Sequence, residues 1–178
     1  MSGYLHDMDM AVEYARRSRE LMGETIINSL NLHVADQFAT IHNYIDTKHG
    51  ILRKGAVSAQ QGETLIIPIN MRDGSLICVG KGNPEWNCTA PHGAGRMMTR
   101  SQAKAELSIE AYRAAMEGIY STSVSESTLD ESPMAYRAID EILDVIEETA
   151  EVSALLTPVY NFKASKAATD EETMDGND

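Results

Sequence analysis

The sequence predicts an α+β fold, a central cluster of short strands flanked by helices. Three observations carry this. Stretches near both ends repeat apolar residues at three- and four-residue steps. The middle is cut into short apolar runs by Gly, Pro, Asn and Asp. Strands grouped in the middle, rather than alternating with helices, point to α+β.

Residues 7–30 read as a helix, with Ala11, Tyr14, Ala15, Ser18, Leu21, Met22 and Ile26 on one stripe. A second helical pattern follows, with Val34, Phe38, Ile41 and Ile45 on one face, His42 and Asn43 near its end, and Gly50 breaking it. Residues 51–59, 64–69 and 75–80 read as strands. The run Leu65-Ile66-Ile67-Pro68-Ile69 is almost wholly apolar, as in a strand covered on both faces, and Pro68 places it at an edge or a strand end. Asn70 to Gly74 is a turn in which Gly74 is able to take positive φ. Residues 80–98 have no periodicity and read as a long loop. Helix returns at Arg100, where Thr99 and Gln102 have capping-box spacing and Ala103, Leu107 and Ala111 follow. A last helix begins at Ser132-Pro133, with Ala135, Ile139, Ile142, Leu143 and Ile146 as its stripe.

A chain of 178 residues is long enough for one domain with a core. A net charge of −12 argues against a basic surface for nonspecific nucleic-acid binding, although a local patch is not excluded. Part of that charge is an acidic tail, residues 164–178, expected to be disordered. Cys78 and Cys88 are too few for a disulfide framework and fit reduced thiols in a cytoplasmic protein. No apolar run reaches membrane-span length, and the N-terminus lacks the pattern of a signal peptide.

Several residues are candidates for chemistry. His92 precedes Gly93-Ala94-Gly95 and a helix start near Thr99. Small residues let backbone N–H groups approach an anion, and Arg96 and Arg100 could pair with phosphate. A neutral imidazole there is a sensible phosphoryl acceptor; the spacing alone favours a flexible glycine loop with an incidental histidine. His42 is a metal-ligand type beside an amide, Asn43, able to reach a phosphate oxygen, or else a half-buried histidine beside a helix cap. His6, His33 and His49 form no i, i+4 pair and read as structural or surface residues. Cys88 reads as a small buried residue sooner than a metal thiolate. Arg53-Lys54-Gly55 is a short basic cluster, able to bind an RNA phosphate or simply on a surface strand, and nothing local distinguishes Lys163.

Taken together, the motifs resemble the C-terminal half of the RtcB RNA ligases. They are His42-Asn43-Tyr44, Arg53-Lys54-Gly55-Ala56, Leu65 to Met71, Pro91 to Arg100, Asp130 to Tyr136 and Pro158 to Lys163, together with the opening Tyr4-Leu5-His6-Asp7-Met8. The likeness runs in order over residues 4–163. It implies an RtcB-like domain over 1–163 and an enzyme that joins an RNA 3′-phosphate or 2′,3′-cyclic phosphate to a 5′-hydroxyl, with GTP and Mn²⁺. RNA ends, as tRNA halves or damaged RNA, are then the substrates. The resemblance further implies that His92 takes GMP covalently, that His42 is a manganese ligand and that Asn43 contacts the GMP phosphate. By the same resemblance Pro68, Ile69, Asn70, Met71 and Ser75 hold the nucleotide, Gly93, Ala94 and Gly95 complete the cradle, and Lys163 reads the guanine.

Two departures stand out. Ile69-Asn70-Met71 replaces the Gly-Ser-Met of many members and narrows the cradle. The family's other metal ligands, an Asp, a Cys and two further histidines, belong to an N-terminal half with no counterpart in these residues. The resemblance therefore implies a ligase module that works with a separate N-terminal half. The competing expectation is a truncated, noncatalytic paralogue that binds nucleotide or a partner; a metal-free phosphatase built on His92 ranks below both.

Overall fold

The computed structural model describes residues 2–163; the expected tail, residues 164–178, lies outside the described residues. The chain divides into two compact units. One comprises the chain up to Ile66 with Ile77–His92 and Ile146–Ser153; the other comprises Ile67–Leu76, Gly93–Val145 and the chain from Ala154 on. Helices and small antiparallel sheets make up an α+β architecture, as the sequence predicts.

In the first unit, helix α1 spans Ser2–Leu30. Its facing differs from the sequence stripe. Leu5, Met8, Val12, Ala15, Gly23 and Ile27 are half-buried, whereas Tyr14, Leu21, Met22 and Ile26 are exposed. The helix carries more apolar surface than its packed face uses. Among the described residues, no helix is long and apolar enough to cross a membrane.

The second helix does not form. Asn31 takes φ +50 and ends α1, and residues 32–42 are irregular. The backbone here has strand-side partners instead. The Ile66 N–H donates to Thr40 Oγ1 (3.3 Å) and the Ala56 N–H to the His42 carbonyl (3.3 Å). Tertiary bonds override a helix-compatible apolar spacing.

Strands β1 (Asn43–Asp46) and β2 (Ile51–Lys54) form an antiparallel hairpin that pairs Asn43 with Lys54 and Tyr44 with Arg53. Gly50, in the turn, has φ +68. The predicted strand over 51–59 is broken at Gly55, after which β3 (Ala56–Ser58) pairs antiparallel with β6 (Thr89–Pro91). The stretch expected as one long loop thus holds β6 and a 3-10 turn, Pro84–Trp86.

Strands β4 (Thr64–Asn70), β5 (Gly74–Gly80) and β7 (Ala150–Leu156) form a three-stranded sheet in that order, and the residues of each strand divide between the two units. Strand β4 is an edge, which is where Pro68 is tolerated. It is not covered on both faces: Leu65, Ile67 and Ile69 are buried, but Pro68 is exposed and Ile66 and Asn70 are half-buried. Strand β7 has no counterpart in the sequence reading.

In the second unit, Thr99 caps helix α2 (Arg100–Glu106) through the expected capping box. Thr99 Oγ1 accepts from the Gln102 N–H (3.2 Å), and Gln102 Oε1 accepts from the Thr99 N–H (3.0 Å). Thr99→Ala is expected to cost about 1 kcal/mol, read as a lower urea midpoint with an unchanged m-value. The helix does not run on through Ala111. Ser108 interrupts it and caps α3 (Ile109–Ala115), its Oγ accepting from the Ala111 N–H (3.1 Å). Met71, Tyr112, Met116 and Leu129 form a buried cluster here, with Leu107, Ile109, Ile119 and Val124 packed around it.

The last helix begins later than its sequence signal. Ser132-Pro133 opens only a 3-10 turn (Pro133–Ala135), which follows another over Glu126–Glu131. Tyr136 is extended because it bridges to Arg96, and the Arg137 N–H donates to the Gly95 carbonyl (3.2 Å). Helix α4 then spans Ile139–Ile146 and buries Ile142 and Ile146.

Candidate functional site

In the first unit, two strand pairings meet at one residue. Lys54 is paired with Asn43 and Ala56 with Pro91, so Gly55 links the two ladders. It does so at φ +64, a conformation that favours glycine. The Gly55 N–H donates to Asn43 Oδ1 (2.9 Å). Its carbonyl oxygen lies 2.6 Å from Nδ1 of His92, the residue after the paired Pro91. The His92 ring stacks on His42, with centroids 5.2 Å apart and planes 12° from parallel. His92 is exposed.

His42, Asn43 and His92 therefore converge, although the sequence separates the first two from the third by about fifty residues. Gly55 joins them, and the sequence reading gave it no part in the site. The available signal was a glycine inside a strand pattern, which marks a break or a close backbone approach. A cleft of about 350 Å³, lined by Met8, Val12, Ala15, Thr40, His42 and Asn43, opens beside this cluster.

Arg53 is not a surface phosphate ligand. Its side chain is fully buried and donates from Nη1 to Asp46 Oδ2 (2.7 Å) and Tyr44 Oη (3.1 Å), and from Nε to Thr89 Oγ1 (3.1 Å). Burial pushes the Asp46 carboxyl up, but hydrogen bonds from Arg53 and His49 outweigh it and hold the group at about 2. Cys88 is half-buried with φ +46, and its carbonyl accepts from the Ala59 N–H (2.8 Å), a backbone role. Cys78 is buried, and that burial pushes its thiol up to about 11.

The second unit holds the remaining candidates. The Ala94 N–H donates to the Pro68 carbonyl (3.1 Å), and a Cβ on Gly93 would lie 3.0 Å from that same oxygen. Gly93 and Ala94 are thus packed tightly on β4. Gly95 has φ +72 with open space where a Cβ would sit. The side chains of residues 68–75 differ in what they have left to offer. Ile69 and Met71 are buried. Asn70 is committed to its turn, its Oδ1 accepting from the Arg72 and Asp73 N–H groups (2.9 and 2.8 Å) and its Nδ2 donating to Asp73 (2.8 Å). Pro68 is exposed and Ser75 half-buried.

Lys163 is more organised than its position near the chain end implies. Its N–H donates to Ser123 Oγ (2.8 Å), and its Nζ lies 3.2 Å from Glu131 Oε2. Glu131 also accepts from Arg96 Nη2 (2.7 Å), Arg100 Nη1 (2.6 Å) and Tyr136 Oη (2.9 Å). Burial pushes its carboxyl up, but Arg100, Tyr136 and Lys163 hold it below the usual range. Neighbouring Asp130 pairs with Arg100 and with Lys104 (3.4 Å). Arg96 and Arg100, read from sequence as phosphate partners, are engaged with this acidic pair. Glu131 carried no sequence signal of its own.

A sequence profile described as tRNA-splicing ligase RtcB matches residues 1–164. RNA-splicing ligase RtcB of Escherichia coli K12 is 32% identical, over 90% of this chain and 43% of the relative. RNA-splicing ligase RtcB of Mycobacterium tuberculosis is 30% identical, over 82% and 41%. tRNA-splicing ligase RtcB of Aeropyrum pernix is 35% identical, over 63% and 28%. The chain thus spans less than half the length of these relatives.

Proposed function

The chain belongs to the tRNA-splicing ligase RtcB family, and from that premise we propose that it supplies the nucleotide-accepting part of an RNA ligase. The activity is the joining of a 3′-phosphate or 2′,3′-cyclic phosphate RNA end to a 5′-hydroxyl end, in RNA repair or tRNA splicing in the cytoplasm. The cluster of His92, His42 and Gly55 is the observation that carries this reading. It presents an exposed imidazole, held at one nitrogen, directly before the tight Gly93-Ala94-Gly95 segment. A ring nitrogen of His92 bonds to the α-phosphorus of GTP, the bond to the bridging oxygen breaks and pyrophosphate leaves. Asn43 and the face carrying Pro68 and Ser75 contact the nucleotide, residues 69–71 contribute through their backbone, and Lys163 contacts the guanine.

A manganese ion, bound through His42, would neutralise triphosphate charge. The described donors do not make such a site alone. Among the described residues no group of three or more His, Cys, Asp or Glu gathers that could hold a metal, and such sites take several ligands. The remaining ligands would come from the N-terminal half of the relatives, which these residues do not cover.

Incubation with Mn²⁺ and α-labelled GTP tests the reading. The chain alone is expected to take no covalent label. Mixed with the N-terminal half of the Escherichia coli relative, it is expected to be labelled, and His92→Ala to abolish the label. Label on the chain alone would refute the need for a second half. No label in the mixture, with nucleotide binding retained, would favour a noncatalytic binding paralogue.

A further inference from the structure

We propose that Gly55 and Asn43 are a positioning pair for His92, fixing its neutral ring with the proton on Nδ1 and the lone pair on Nε2. The proposal rests on the reading of His92 as the nucleotide acceptor. It concerns what makes that ring ready before any nucleotide arrives.

The argument starts from donors and acceptors. A carbonyl oxygen only accepts, so the 2.6 Å contact between the Gly55 carbonyl and His92 Nδ1 requires a proton on Nδ1. The neutral ring then carries its lone pair on Nε2. Among the described residues no hydrogen-bond partner engages Nε2, and the residue is exposed. Unconstrained histidine side chains favour the other tautomer, so this one needs a cause. The cause is the aim of the Gly55 carbonyl. Gly55 holds φ +64 at the junction of two ladders, and its N–H is tied to Asn43 Oδ1 at 2.9 Å. Both polar groups of Gly55 are thereby used, one to anchor it and one to orient the imidazole. Asn43 acts on His92 through Gly55, a role separate from contact with a phosphate. The stack on His42 adds a second constraint, on the plane of the ring.

Side-chain ¹⁵N NMR of the ligand-free, uniformly labelled chain tests this at mildly alkaline pH, where unperturbed imidazoles are neutral. His92→Gln assigns the resonances. Wild-type His92 is expected to show a protonated Nδ1 and an unprotonated Nε2. Asn43→Ala is expected to lose that majority and swing to the Nε2–H form. Asn43→Asp keeps the oxygen acceptor and is expected to retain the wild-type pattern, although its charge would oppose a phosphate. Wild-type His92 protonated on Nε2 would overturn the proposal. So would a folded Asn43→Ala with an unchanged tautomer, or an Asn43→Asp that behaves like it. Should Asn43→Ala not fold, the wild type and Asn43→Asp still decide. The measurement needs no nucleotide, metal or second half, so absence of GTP labelling in the mixture with the N-terminal half would count against the functional reading and leave this one standing.

Discussion

Gly74→Ala is expected to destabilise the protein by about 4 kcal/mol, combining roughly 1–2 kcal/mol for an L-residue in the left-handed region with roughly 1–3 kcal/mol for overpacking. Gly74 opens β5 at φ +81, and a Cβ there would lie 1.9 Å from the Leu156 carbonyl oxygen and 3.1 Å from Pro158 Cδ. The nearest obstacle is backbone, which yields less readily than a flexible side chain. Relief requires the end of β7 to move. Gly118→Ala is the matched control, because Gly118 has φ +83 with nothing within 4 Å of a built Cβ. It carries the conformational cost alone, about 1–2 kcal/mol. Urea denaturation of both variants separates the two contributions. Equal losses would mean that the approach of Leu156 contributes nothing.

Asp46→Asn is expected to cost about 3 kcal/mol, the lower end for breaking a buried ion pair by removing one partner. Arg53 stays charged whatever its surroundings. Its side chain is fully buried, and among the described residues its Nη2 already has no hydrogen-bond partner. Neutralising Asp46 removes the carboxylate that balances it. The pH dependence has a definite sign. The Asp46 carboxyl sits at about 2 in the folded state, below the ordinary carboxylate value of about 4. Its contribution is therefore complete above about pH 4 and disappears as pH falls through 2. The gap between wild type and Asp46→Asn should narrow over that window. A gap that stays constant between pH 6 and about pH 2 would show that the pair is not its source.

Features set by short-range chemistry were legible in the sequence. The Thr99–Gln102 capping box, the turn from Asn70 to Gly74 and the edge placement of Pro68 each follow from one or a few neighbouring residues. Helix α1 was legible as a helix but not in its facing, because its apolar arc is broader than the face it packs. Residues 32–42 misled because Val34, Phe38, Ile41 and Ile45 have helical spacing while Thr40 and His42 bond to strand residues further along the chain. Arg53 looked like surface charge because Asp46 and Tyr44 meet it only once the β1–β2 hairpin has formed, and Thr89 lies 36 residues away. The candidate site divides in the same way. His92 and its glycines form a contiguous motif. Gly55 touches His92 across 37 residues, and no local pattern encodes such a contact.

Glu131 shows why the measured worth of a residue in the second unit depends on what else is present. Arg96, Arg100, Lys163 and Tyr136 all draw on its one carboxylate. Deleting any one of them leaves the charge of Glu131 still compensated by the rest, so each single deletion understates the set. Deleting Glu131 removes the carboxylate shared by three cations at once, and of these Arg100 keeps a carboxylate partner in Asp130. Their energies are not separable quantities that sum, and in a double-mutant cycle the coupling between any two of them passes through the carboxylate they share.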